Sequence, residues 1–363
     1  MPATPFKPSE TRLGATFAAV GDWELPARFL PVAEEVGRGR SLGGIVDRSD
    51  WGKLWLTGKD AADFLHNYTT HNIKALAPGK GIQTAVTTWK GTMVDHVFVM
   101  RRETGLWVLT HPGRSQAVKD ALEKYLLGVD VTIADRTEAF GLLYVFGQLA
   151  RPVLAKATGL QPVWADHAPV SARVGGHEVL VASTWPAFGA GFHVLVENAS
   201  ALAVYDALVR EADAKGMLPI GTDAWEQLRI EQGIPAFGHE IGEDVNPWEA
   251  RLADSVSMSK GCYLGQEVVA RLANYDKVQR YLIGLRFESA RPPAKGAEIQ
   301  VEGKKVGVVT SAMAGSALGF VKGAHVEPGT RVAIKDGEES IPAVLERRPF
   351  WSGMLNEGIG ARY

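Results

Sequence analysis

A chain of 363 residues, 46% hydrophobic and 22% charged, has the make-up of a soluble globular protein and the length of two or three domains. A formal net charge of −2 gives no global field to attract nucleic acid or an anionic membrane. The single cysteine excludes an intrachain disulfide and a multi-cysteine zinc site, and with no signal-peptide core or membrane-length apolar run a cytoplasmic protein without a membrane partner is expected.

In chain order, residues 1–30 are Pro-rich and then amphipathic, anchored by Trp23, Leu25, Phe29 and Leu30. Trp51 to Leu56 is a bulky apolar segment bounded by turn signals and reads as a strand. Ala61 to Tyr68 has helical spacing behind the cap-like Gly58-Lys59-Asp60. Strands are expected over 83–88, 92–100 and 105–110, the first two joined by a hairpin at Trp89-Lys90-Gly91, followed by a helix over 114–127 and a strand over 129–134. A second α/β segment starts at Phe140, with a helix stopped by Gly159, strands around 171–174, 178–182 and 191–197, and helices over 200–215 and 223–232. Residues 234–258 are loop-rich. After Arg280 short strands and turns recur at the spacing of a small all-β barrel.

The stretch KGCYLGQEVVAR, Lys260 to Arg271, concentrates chemistry. A Gly-punctuated turn running into a helix sets Cys262 near a helix N-terminus and beside Lys260, both of which favour a thiolate. The same residue also fits a small buried hydrophobe. Asp95 is a carboxylate within an apolar strand, where strand alternation groups it with Met93 and Val97 and puts His96 on the opposite face. On a buried face it would bind a protonated amine or serve acid–base chemistry; at a strand end it would simply face water. Arg229 in LRIEQG suits either a bidentate grip on a ligand carboxylate or an ion pair with another part of the chain. Trp185 and Phe188, with Phe192, suit the wall of a heteroaromatic site or plain core. The nine histidines show no HxxxH-like pairing, so no metal is expected on protein ligands, and P-loop and GxSxG motifs are missing.

Together these blocks resemble the aminomethyltransferase (glycine-cleavage T-protein) superfamily of folate-binding proteins. WGKLWLTGKDAADFLHNYTTHNIKALAPGKGIQTAVTTWKGTMVDHVFVMR resembles its first block, and AWEQLRIEQGIPAFGHEIGEDVNPWEA its central one. KGCYLGQE is similar to the YgfZ-type branch, implicated in iron–sulfur cluster synthesis or repair. The resemblance implies an α+β fold, a three-domain ring with a C-terminal small β-barrel. Residues 1–275 would form the folate-binding region, with an inserted subdomain over about 50–137, and 276–363 the barrel. It implies tetrahydrofolate as ligand, with Arg229, Asp95, Trp185, Phe188, Lys260 and Tyr263 as candidate binding residues and Cys262 and Asp95 as candidate catalytic ones. Its main functional implication is an accessory factor for iron–sulfur cluster assembly, partnered with iron–sulfur proteins or the assembly machinery. The alternative is a tetrahydrofolate-dependent aminomethyltransferase or demethylase using Asp95, which aligns with the family's catalytic aspartate. Two departures stand out: His96 replaces a second aspartate, and PAFGAGFHV lacks the folate-gripping glutamate of the family block.

Overall fold

The computed structural model describes residues 1–160, 167–275, 277–289 and 291–348. By contacts the chain forms two compact units. The first comprises Met1–His66, Asn72–Thr84 and Val97–Leu228; the second comprises Asn67–His71, Ala85–His96 and the chain from Arg229 onward.

The chain opens with helix α1 (Lys7–Arg12), the hairpin strands β1 (Thr16–Val20) and β2 (Trp23–Arg28), and helix α2 (Val32–Ser41). The amphipathic start thus includes a strand: Trp23 and Leu25 are buried, with the half-buried Glu24 between them. Next come β3 (Gly44–Asp47), β4 (Trp51–Thr57), α3 (Ala61–Asn67), β5 (Gly81–Thr87), β6 (Met93–Arg102), β7 (Gly105–Pro112), α4 (Ser115–Glu123) and β8 (Thr132–Asp135). Five of these strands form a sheet in the order β5-β6-β7-β4-β8. The second α/β segment supplies β9 (Phe140–Phe146), α5 (Ala150–Thr158), β10 (Pro169–Val174), β11 (His177–Ala187), β12 (Ala190–Glu197), α6 (Asn198–Asp213), β13 (Leu218–Pro219) and α7 (Thr222–Gln232). Its sheet runs β10-β11-β12-β9-β3-β13, antiparallel except where β13 lies parallel to β3.

In the first unit, Leu154 of α5 and Val204 and Leu208 of α6 close over Leu143, Val145, Phe192 and Val194 of the six-stranded sheet. The other face of that sheet offers Leu142, Ala182 and Leu195 to Phe98, Met100 and Leu109 of the five-stranded one. β6 is consequently buried along Met93–Met100, so its apolar run lacks the alternation of a half-exposed strand. After a loop-rich stretch come α8 (Gln266–Asn274) and the strands β14 (Arg280–Phe287), β15 (Glu298–Val301), β16 (Lys304–Met313), β17 (Ser316–Lys322), β18 (Arg331–Asp336) and β19 (Glu339–Glu346). These six close into the expected barrel, β14-β17-β16-β15-β18-β19.

Candidate functional site

In the second unit, the turn between β5 and β6 packs against the Lys260–Gly265 loop and the start of α8. Thr87 Oγ1 donates to the Leu264 carbonyl at 2.6 Å, and Thr88 Oγ1 lies 2.8 Å from Thr92 Oγ1 across the turn. Gly265 has φ of +82°, and a Cβ placed there would meet the Thr88 carbonyl oxygen at 2.3 Å. The glycine just before α8 is therefore required by both its left-handed backbone and its close approach to the turn.

Asp95 is fully buried, and its Oδ1 accepts the backbone N–H of His96 at 2.9 Å. The His96 ring, also buried, reaches Ser255 Oγ through Nε2 at 2.7 Å. Ser255 ends a single 3-10 turn, Ala253–Ser255, and its carbonyl accepts Thr70 Oγ1 at 2.6 Å. Thr70 Oγ1 in turn accepts the Ala85 N–H at 3.0 Å.

Lys260 is buried, with Nζ donating to the carbonyls of Thr69 at 2.6 Å and His71 at 3.0 Å and lying 4.8 Å from the Tyr263 ring centre. Burial lowers its ammonium to about 8 and pushes the Tyr263 phenol up to about 12. Cys262 is exposed and precedes Gly265, the residue that caps α8. The lysine beside the thiol thus directs its charge to backbone carbonyls, and the thiol lies outside the helix.

For Arg229, the ion pair is present. Its guanidinium, on a buried side chain, donates to Glu240 Oε2 at 2.9 Å and to Ser311 Oγ at 2.6 Å. Glu240 also accepts the Ala236 N–H at 3.0 Å, and its Oε1 accepts the hydroxyls of Thr310 and Ser311, both at 2.6 Å. The pair ties α7 and the loop after it to β16 of the barrel.

Trp185 and Phe188 belong to the first unit, on and just after β11. Phe188 and Gly189 form the two-residue turn to β12, with φ of +51° and +137°. Positive φ at both positions is what a tight hairpin demands, although an aromatic residue is rare there. Trp185 is half-buried, its carbonyl accepting the Tyr144 hydroxyl at 2.8 Å, whereas Phe192 is core.

The first unit also gathers a polar group that sequence reasoning missed. The Trp51 ring stacks on His111 at 5.1 Å and lies 5.3 Å from His193, with the Arg48 guanidinium 5.5 Å from the same indole. Arg48 Nε is 3.6 Å from Asp50 Oδ1. His193 Nδ1, Trp51 Nε1 and both Asp50 carboxylate oxygens are buried without a hydrogen-bond partner among the described residues. Burial first, then Arg48 and His167, pushes His193 down to about 3, leaving a neutral imidazole at physiological pH. Buried polar atoms in this state are suited to a polar ligand or ordered water. The residues come from separate strands and the loop between β3 and β4, with no shared sequence motif. Among the described residues, no cluster of three or more His, Cys, Asp or Glu could hold a metal ion.

Residues 7–260 match the model of the GCVT N-terminal domain, and 280–352 that of the glycine cleavage T-protein C-terminal barrel domain. The chain belongs to the glycine-cleavage T-protein family. A putative chloroplastic transferase of Arabidopsis thaliana is 32% identical over 325 residues, covering 84% of this chain and 71% of that one. The aminomethyltransferase of Streptomyces coelicolor is 30% identical, covering 93% of this chain and 94% of the relative. The crystal structure of glycine cleavage system aminomethyltransferase T from Bartonella henselae shares the fold at a TM-score of 0.83 and 24% identity, over 96% of this chain and 98% of that one.

Proposed function

We propose that this T-protein family member transfers a one-carbon unit from an amine donor to tetrahydrofolate, as an aminomethyltransferase or demethylase. The Asp95 carboxylate would hold the donor amine or take its proton. The observation that carries this reading is a fully buried Asp95 whose Oδ1 is held by the following backbone N–H. A carboxylate fixed in this way, away from bulk water, attracts a cationic amine far more strongly than an exposed one. Supporting it, the relatives named aminomethyltransferase match nearly the whole chain rather than one domain.

Tetrahydrofolate, when bound, supplies the nitrogens that accept the one-carbon unit. The chain offers groups of suitable chemistry. The Asp50 oxygens and the neutral His193 Nδ1, without hydrogen-bond partners among the described residues, complement the amide-like edge of a pterin, and Trp185 and Phe188 carry aromatic faces on which such a ring stacks. Arg229, held by Glu240 and Ser311, serves in this reading to secure the barrel. The test is formation of 5,10-methylenetetrahydrofolate from a methylamine-type donor. Asp95→Asn is expected to cut the rate by about 10²–10⁴-fold, the usual worth of a positioned acid–base group. An Asp95→Asn enzyme as fast as wild type would overturn the assignment.

A second reading is favoured by the exposed thiol in KGCYLGQE: a YgfZ-type accessory role in iron–sulfur cluster assembly or repair, worked by Cys262. It predicts that Cys262→Ala abolishes complementation of an iron–sulfur enzyme defect while Asp95→Asn is tolerated. One-carbon transfer predicts the opposite order.

A further inference from the structure

We infer that Ser255 and His96 act together as a positioning device for the Asp95 carboxylate, an inference that rests on the one-carbon-transfer reading. Asp95 and His96 are neighbours on a strand, and the His96 backbone N–H holds Asp95 Oδ1, so anchoring the His96 side chain restrains the residue that carries this N–H. That ring is held 2.7 Å from Ser255 Oγ. Both side chains are 3% exposed, so the contact is made away from competing water.

Ser255 is itself fixed on two sides. Its carbonyl accepts Thr70 Oγ1 at 2.6 Å, and its N–H donates to the Leu252 carbonyl at 3.0 Å. Thr70 joins this turn to β5 through the Ala85 N–H at 3.0 Å, and its carbonyl accepts the Ser257 N–H at 3.0 Å. The preceding residue, Thr69, gives its carbonyl to Lys260 at 2.6 Å. Hydrogen bonds joined by short stretches of backbone therefore link the KGCYLGQE loop through Thr69-Thr70 and Ser255 to His96 and the Asp95 carboxylate. A histidine suits this place because it spans to the serine while its own backbone holds the carboxylate.

On this reading Ser255 does not bind the donor, and its effect passes through the His96 contact. Removing the hydroxyl should lower kcat and leave KM for the donor nearly unchanged. Ser255→Ala is expected to reduce kcat by about 10–100-fold, the loss that follows from small misplacements of a reacting group. Ser255→Thr, which keeps the hydroxyl, should stay within about threefold of wild type. A second readout needs no turnover: hydrogen exchange of the His96 amide, observed by NMR in the full-length protein. It should accelerate at least about tenfold in Ser255→Ala and return to the wild-type rate in Ser255→Thr, because exchange tracks local opening. Unchanged exchange and unchanged kcat in Ser255→Ala would overturn the inference, as would an equal loss in Ser255→Thr. If the wild-type protein makes no methylene product, the one-carbon reading fails separately, and the exchange measurement still decides whether Ser255 holds the Asp95–His96 geometry.

Discussion

Glu10 lies on α1 as a fully buried acid, and neither of its carboxyl oxygens has a hydrogen-bond partner among the described residues. Burial, and then the charge of Asp47, pushes it up to about 10 from the ordinary 4.5. A folded-state pKa above the unfolded one means that the native chain binds the extra proton. The associated stability is complete below pH 4.5 and is lost progressively as pH rises to about 10. Glu10→Gln, which mimics the protonated acid, should match wild type near pH 4.5 and become steadily more stable than it at higher pH. The gap should grow by at most about 1.4 kcal/mol per pH unit. Urea unfolding of the two proteins from pH 5 to 9 checks this; parallel stability curves would show that Glu10 carries no such proton. The same scale shows what residue-level reading reaches. The buried setting of Asp95 was one of two readings the apolar strand allowed, and the fold supplies it. For Lys260, proximity to Cys262 in sequence pointed to the thiol, yet its ammonium reaches backbone carbonyls at Thr69 and His71. Adjacent residues in a loop point in directions that only the surrounding packing sets.

At the scale of elements, the Arg229–Glu240 ion pair joins the end of α7 to the barrel strand β16 through Ser311 and Thr310. Arg229 and Glu240 are 3% and 0% exposed in their side chains and satisfy each other together with Thr310 and Ser311. Arg229→Met leaves Glu240 charged and buried, which should cost about 3–5 kcal/mol in urea unfolding. Arg229→Met with Glu240→Leu should recover a large part of that loss, because the uncompensated charge is gone. If the single variant is as stable as wild type, the pair does not hold the barrel strand. Most strands and helices were legible from period and punctuation. The barrel after Arg280 followed from turn spacing, and Gly159 ends α5 at φ of +69° as expected. Helix α2 was not legible, since VAEEVGRGRS carries two glycines that lower helix propensity. The fold explains one of them: a Cβ on Gly39 would lie 2.5 Å from Leu228 Cδ1, so the position favours close packing over propensity. The hairpin at Trp23 was hidden for another reason, because a six-residue strand buried at Trp23 and at Leu25, Pro26 and Ala27 lacks the clean alternation that marks a strand.

For the whole molecule, the single exposed cysteine makes a simple expectation. One equivalent of a thiol reagent should react with the native protein, without the slow phase of a buried thiol, and reductant should leave Tm unchanged because the chain has no second cysteine to pair. A native protein that reacts only after denaturant is added would place Cys262 in a protected setting. Family membership is also a property of the whole chain. The two family models together span 7–260 and 280–352, so the similarity follows the barrel as well as the folate-type region.

Local signals were enough for most element types, the barrel and the family, because hydrophobic period, glycine placement and whole-chain blocks are written directly along the chain. The sequence also set Asp95, Arg229 and Cys262 apart as chemically distinctive residues. Only the tertiary structure decided what each of them touches. It paired Arg229 with Glu240, eleven positions away, and set Ser255 against His96 across 159 positions. It also gathered Trp51, His111 and His193 from three strands. A hydrogen bond or ring contact depends on two side chains meeting in space with fixed geometry, and such meetings are products of packing that no one-dimensional period records.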